Sequence, residues 1–170
     1  LQSLLAETLV TGLLTPSGDT PKEWGLAKVK GLVVEYGALE ATIGLAELGK
    51  ELSDRLRPDE SDRNSFPSGH AAAAFGAARL SNRNLDAMDL SRWVRTPLKA
   101  GNMIAASATA WARVEGRRHY PTDVLMGACL GNFTTTFIHD AFLNLPEDSR
   151  FSFYIEPSPQ GLFASASWDF

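Results

Sequence analysis

The chain has 170 residues, enough for one domain with a core of its own. Its 44% hydrophobic and 21% charged residues are ordinary for a globular protein, and its formal charge of −4 lacks the basic footprint of a nucleic-acid binder. A single cysteine, Cys129, excludes an internal disulfide and is expected to be a small core residue.

No stretch reaches the roughly 20 apolar residues of a membrane span. The nearest, 124–138, is interrupted by three threonines and an asparagine. Positions 1–14 lack a basic start and include Glu7, so they do not read as a signal peptide. The opening at Leu1 rather than Met leaves room for a removed leader or a longer N-terminal part.

Leu4, Leu5, Leu9 and Leu13 recur at helical spacing and predict a helix over 2–14. Pro16, Gly18 and Pro21 mark a loop, with Thr20 as N-cap and Pro21 in the first helical position. A long helical pattern covers 22–56, with breaks expected near Gly37 or Gly44 and an end at Pro58. A polar loop over 59–66 precedes an alanine-rich helix over 68–80, and 81–89 reads as a polar connector. Residues 90–115 form the next helix, with a restart at Pro97 as an option. The stretch 100–112 is small or apolar nearly all round, which predicts a helix at the centre of a bundle. After a break at 116–120, Pro121 opens a helix running to 143. In the tail, Phe151, Phe153 and Ile155 alternate with other residues, a turn follows at 157–161, and Phe163 to Phe170 is a second extended run. The fold class is therefore all-α, a bundle of about five to six helices with a short C-terminal β-hairpin. The helical domain is expected over 1–148, with the segment 149–170 packed on it.

Three clusters fall at helix ends. Lys50 and Arg57 are seven residues apart, which on a continuous helix puts both on one face. Pro67-Ser68-Gly69-His70 stands at a helix start, and Arg113, His119 and Asp123 form the third group. Three cations suit a phosphate, arginine above all because its planar fork donates to two oxygens. A helix start supplies free N–H groups, Gly69 allows close approach, and the Ser68 hydroxyl adds a donor. Two imidazoles then remain for chemistry: His119 as nucleophile, oriented by Asp123 four residues on, and His70 as acid for the leaving oxygen. Taken singly, each group reads as an ordinary solvated or capping feature, and it is their joint occurrence that points to one anion site. His139 has no partner at metal-ligand spacing and reads as structural.

With these residues in view, the sequence resembles the type 2 phosphatidic acid phosphatase superfamily, which also contains acid phosphatases and vanadium haloperoxidases. The family pattern is Lys, six residues, Arg-Pro; then Pro-Ser-Gly-His; then Ser-Arg, five residues, His, three residues, Asp. Lys50 and Arg57-Pro58 match its first part, Pro67 to His70 the second, and Arg113, His119 and Asp123 the third. Ala112 stands where the pattern often has Ser, and the linker between Pro58 and Pro67 is short. The resemblance implies a helical bundle in which Lys50, Arg57, Ser68, Gly69 and Arg113 hold the phosphate. It implies that His119 becomes phosphorylated, Asp123 orients it, and His70 serves as acid and then base.

The implied activity is a phosphatase acting on a phosphomonoester or diphosphate, possibly lipid-linked, through a phosphohistidine. It needs no metal and no cofactor. The alternatives are a vanadium-dependent haloperoxidase and a phosphate-binding module without turnover. The implied partner is a phosphorylated small molecule or lipid, with no nucleic acid. An oligomer or membrane-surface contact is open, with Phe151, Phe153, Phe163 and Trp168 as candidates, and an extracytoplasmic location is expected. Loops 59–66 and 81–89 are expected to rim the pocket.

Overall fold

A computed structural model describes residues 1–16 and 20–143, and the backbone alone of 151–158 and 161–168. Its architecture is five helices: α1 (Gln2–Leu14), α2 (Pro21–Ser53), α3 (Gly69–Ala87), α4 (Arg92–Glu115) and α5 (Pro121–Leu143). The hairpin expected over 149–170 is no part of this helical architecture, and what its aromatic side chains would pack against lies outside the described residues. Among the described residues, no helix is long and apolar enough to cross a membrane.

Local chemistry explains most of the helix ends. Thr20 caps α2 in a reciprocal capping box with Glu23, and Pro21 follows at the first position. The helix then runs unbroken through Gly37 and Gly44, where nothing lies within 4 Å of a built Cβ and no contact forces a break. It ends at Ser53, not at Pro58, because Asp54 adopts a left-handed conformation (φ 44°) and closes the last turn onto Lys50 O. Arg57 therefore lies in the following loop and does not share a helical face with Lys50. Likewise α4 is one helix, with Pro97 accommodated inside it.

The helix at the centre is α3, which packs against all four others, and not α4. Its face is a run of small residues: Ala71, Ala72, Ala74, Ala77 and Ala78 are fully buried. By contrast, α4 buries only Asn102, Ala106 and Ala110, a stripe at four-residue spacing, while Met103, Ile104 and Trp111 are exposed. The small residues of α4 mark a narrow contact with α3 rather than an all-round core. The segment read as a polar connector, 81–89, is helical to Ala87, and its polar residues Ser81, Asn82 and Asn84 are buried with partners. Ser81 meets the Thr8 hydroxyl at 3.0 Å, Asn84 donates to Thr11 Oγ1 at 3.2 Å, and Asn102 donates to Asn82 at 3.0 Å. In the same seam between α1, α2 and α3, burial raises the Glu35 carboxyl to about 7. Lys28 closes the end of α1 by donating to the Gly12 carbonyl at 3.1 Å.

Helices α3 and α5 come closest. At Gly127 a Cβ would overlap the Ser68 carbonyl, and at Gly131 the Ala72 carbonyl. At Gly76 it would meet Thr135 Cγ2 at 2.9 Å. Glycine is required here because the facing atoms of the first two contacts are backbone. Cys129, expected in the core, lies on the exposed side of α5.

The contacts give the directions. Thr8 faces Ser81 and Thr11 faces Asn84, so α1 runs parallel to α3. Gly127 faces Ser68 and Asp140 pairs with Arg83, so α5 does too. Gly49 abuts Pro67 while Glu35 approaches Gly12, so α2 runs the other way. Hence α2 ends where α3 and α5 begin, and α4 ends there as well.

Substituting Gly131 by Val should destabilise the fold by about 3 kcal/mol, the upper range for overpacking a tight contact. Denaturant unfolding of the variant beside Gly101→Val, at an open position, checks this: the 131 variant must lose far more than the 101 variant.

Candidate active site

Two helices end and two begin at one end of the bundle. The starts of α3 and α5 carry partial positive charge, and the ends of α2 and α4 carry partial negative charge balanced by Lys50 and Arg113 in their last turns. Every motif residue named from the sequence stands at this end. The loop 81–89 does not: that stretch is part of α3 and runs to the opposite end, so of the two rim segments expected only 59–66 is near.

Ser68 caps α3, its hydroxyl accepting from Ala71 N–H at 3.4 Å, and it is fully buried. Its own N–H donates to the Asp123 carbonyl at 3.0 Å, which ties the start of α3 to the start of α5. The N–H groups of Gly69 and His70, at the first turn, have no partner within the helix. A Cβ on Gly69 would stand 3.5 Å from Lys50 Nζ, so the ammonium group sits directly beside that helix start. Lys50 also pairs with Glu47 at 2.5 Å.

Arg57 faces Asp62, with Nε 2.7 Å from Oδ1, and its N–H donates to the Asp62 carbonyl at 3.0 Å. The Arg113 Nε is buried with no hydrogen-bond partner among the described residues. Burial, and then the charges of Arg57 and Arg118, lower the Arg113 guanidinium below its ordinary value. His70 is held below 6.5 by burial first and then by Arg113, Lys50 and Arg57. The cations thus act on one another and on His70 across a common space. Lys50, Arg57, Arg113, His70 and His119 are brought together there, with the Gly69 backbone. The Ser68 hydroxyl lies beneath them, as a cap.

His119 is 3% exposed and its Nδ1 lies 2.7 Å from the Ser65 carbonyl. A carbonyl only accepts, so Nδ1 carries the hydrogen and Nε2 of the neutral ring keeps its lone pair. Burial chiefly, and Arg57 and Arg113 further, lower the imidazole below 6.5, outweighing the Ser65 hydrogen bond and Asp123, which raise it. The ring is therefore neutral at pH 7, with its lone pair on Nε2.

The expected direct bond from His119 to Asp123 is absent: Nδ1 and Oδ2 are 3.9 Å apart. The fully buried Asp123 is instead occupied by other donors. Arg55 Nη1 reaches Oδ1 at 2.7 Å, while the Ser65 hydroxyl (2.5 Å) and the Tyr120 N–H (2.8 Å) reach Oδ2. Arg55 also donates to Thr122 Oγ1 at 2.9 Å and lies over the Tyr120 ring at 4.3 Å. Arg55 and Ser65 escaped the sequence reading. The one available signal was a second arginine two residues before Arg57, in a chain segment already rich in charge.

His139, read as structural, is buried at the far end beside Asp140, which pairs with Arg83 at 2.5 Å.

If the ring is fixed as described, nitrogen-15 NMR of histidine-labelled protein at pH 7 should show His119 as a single Nδ1–H tautomer with an unprotonated Nε2. A signal averaged between tautomers would contradict this geometry.

The family model described as PAP2 superfamily matches residues 31–146, more than half of the chain. Lipid A 1-phosphatase of Porphyromonas gingivalis is 38% identical over 110 residues, which cover 65% of this chain and 22% of that protein. The chain thus spans less than a quarter of that relative's length. No solved structure matches it.

Proposed function

We propose that this chain, which belongs to the PAP2 superfamily, is a phosphatase that hydrolyses a lipid-linked phosphomonoester or diphosphate through a phosphohistidine on His119. The observation that carries the reading is the neutral, Nδ1-anchored imidazole of His119 set beside Arg113, whose buried Nε has no hydrogen-bond partner among the described residues.

In the first step His119 Nε2 attacks phosphorus as the ester oxygen leaves, and His70 gives that oxygen its proton. In the second, His70 takes a proton from water, the resulting hydroxide displaces His119 from phosphorus, and inorganic phosphate departs. Lys50, Arg57, Arg113 and the N–H groups at Gly69 meet the equatorial oxygens, where charge is greatest in the transition state. Asp123 holds the site's scaffold. No metal is assigned a role.

Two observations favour a lipid phosphate. The relative's name specifies one. Leu52, Leu56, Trp111, Leu125 and Met126, all within a few residues of the motif positions, are exposed. They offer apolar contact for acyl chains or a membrane surface, in an extracytoplasmic setting. The segment 149–170 is read as a hairpin packed on the helical domain 1–148.

A phosphate-release screen over soluble and lipid esters, with and without detergent, tests the reading. Lipid esters should be hydrolysed in the presence of excess chelator, vanadate should inhibit, and His119→Ala should lose at least about 10³-fold in kcat. Undiminished turnover in His119→Ala would overturn the mechanism.

The pH dependence follows from the two histidines. His119 must be neutral, so kcat/KM rises as pH climbs through its lowered value. His70 must be protonated, so kcat/KM falls as pH climbs through its own lowered value. The optimum therefore lies on the acid side of 6.5. Lys50→Met removes one of the charges that hold His70 down, and the alkaline limb should move to higher pH. A limb that stays in place would contradict the assignment of His70 as the acid.

A further inference from the structure

We infer that Arg55 and Ser65 are positioning residues that carry the influence of Asp123 to His119, because no direct Asp123–His119 hydrogen bond exists. The inference rests on the phosphatase reading for its kinetic consequence, though not for its geometry.

Three groups form a closed circuit. The Arg55 backbone carbonyl accepts from Ser65 N–H at 3.0 Å, and the Arg55 guanidinium donates to Asp123 Oδ1 at 2.7 Å. The Ser65 hydroxyl donates to Asp123 Oδ2 at 2.5 Å. Ser65 is thus fixed at its N–H and its hydroxyl, and the group left over, its carbonyl, receives the His119 Nδ1–H at 2.7 Å. Ser65 is fully buried, so solvent does not compete at the serine's own bonds.

Asp123 cannot take over the orienting role while this circuit stands. Its Oδ2 already accepts from Ser65 and from Tyr120 N–H, and it stays 3.9 Å from Nδ1. What Asp123 does is hold the serine, and the serine holds the ring. Arg55 completes the circuit by compensating a buried carboxylate that would otherwise seek another proton or cation. Its position over the Tyr120 ring at 4.3 Å and its bond to Thr122 fix the guanidinium itself. The bonds of these groups run to one another and to Tyr120, Thr122 and His119, so the inferred effect is on the aim of Nε2.

The test is a set of double-mutant cycles, with Arg55→Ala, Ser65→Ala and Asp123→Asn singly and with each of the first two combined with Asp123→Asn. Each single variant should lower kcat by about 10- to 100-fold, the loss expected of a misaimed reacting group, with KM unchanged. The doubles should be no slower than Asp123→Asn alone, since residues acting as a unit are not additive. Arg55→Lys should recover part of the loss. Nitrogen-15 NMR supplies a readout that a purely structural role would not move: in the folded Arg55→Ala and Ser65→Ala proteins the His119 signal should shift toward mixed tautomers.

Losses that multiply in the doubles, losses expressed in KM, or an unmoved tautomer would overturn the inference. Should Ser65→Ala fail to fold, Arg55→Ala keeps the test intact, because that side chain is 39% exposed. A wild-type protein that is inactive toward every ester yet shows the tautomer response would retain the inference and remove the phosphatase reading. An active wild type with indifferent variants would do the reverse.

Discussion

The buried Asp123 carboxylate is the constraint on which the site depends. It is fully inaccessible, and a lone carboxylate in that position would cost several kcal/mol. Its three donors come from different parts of the chain: Arg55 and Ser65 from the loop after α2, and Tyr120 from the turn before α5. Its backbone carbonyl binds Ser68 at the start of α3. One residue therefore joins the three segments that carry the motifs, and satisfying its charge is the same act as assembling the site.

That assembly needs helix starts close enough to share one residue, and the small residues of α3 and α5 provide the approach. With Gly127 and Gly131 lying on the Ser68 and Ala72 carbonyls, the two helices touch backbone to backbone over their first turns. Their N-termini then open onto the same space, and α2 and α4 return their C-termini to it. The cations there are set by the same topology. Lys50 and Arg113 occupy last turns, where a positive side chain is favoured even without a ligand. A cluster of cations at this end is in this way compatible with folding.

Much of this was legible in the sequence, and the parts that were not share a cause. The capping residues Thr20 and Ser68, the start at Pro121 and the motif cations act through neighbours a few positions away, so spacing reveals them. Arg55 and Ser65 act on partners 68 and 58 positions distant, and by local rules they are one more charge and one more loop serine. The polar run from Ser81 to Asn84 misled for a related reason. Polarity was read as exposure, whereas Thr8, Thr11 and Asn102 supply buried partners from other helices. The central helix was misplaced because an all-small stretch in α4 looks the same whether it is surrounded or only touched along one line. The direct His119–Asp123 bond was expected from a four-residue spacing, but Pro121 starts a helix between them and Ser65 enters from the loop.

Burial sorts the ion pairs of this region into two kinds. Asp123 is fully inaccessible, and its bond to Arg55 is joined by those from Ser65 and Tyr120, although the Arg55 side chain is itself 39% exposed. Asp62 is 40% exposed and Glu47 59% exposed, and they pair with Arg57 and Lys50. Pairs with such solvated partners are worth about 0–1 kcal/mol. On the proposed reading, a phosphate dianion would offer each cation more charge and more acceptor oxygens than its carboxylate partner, and it would give a partner to the Arg113 Nε, which has none among the described residues. On the same reading, Asp62 and Glu47 would be placeholders that limit repulsion between Arg57, Arg113 and Lys50. Two arginines two residues apart in sequence thus differ in how much water reaches the carboxylate opposite: none at Asp123, facing Arg55, and 40% exposure at Asp62, facing Arg57.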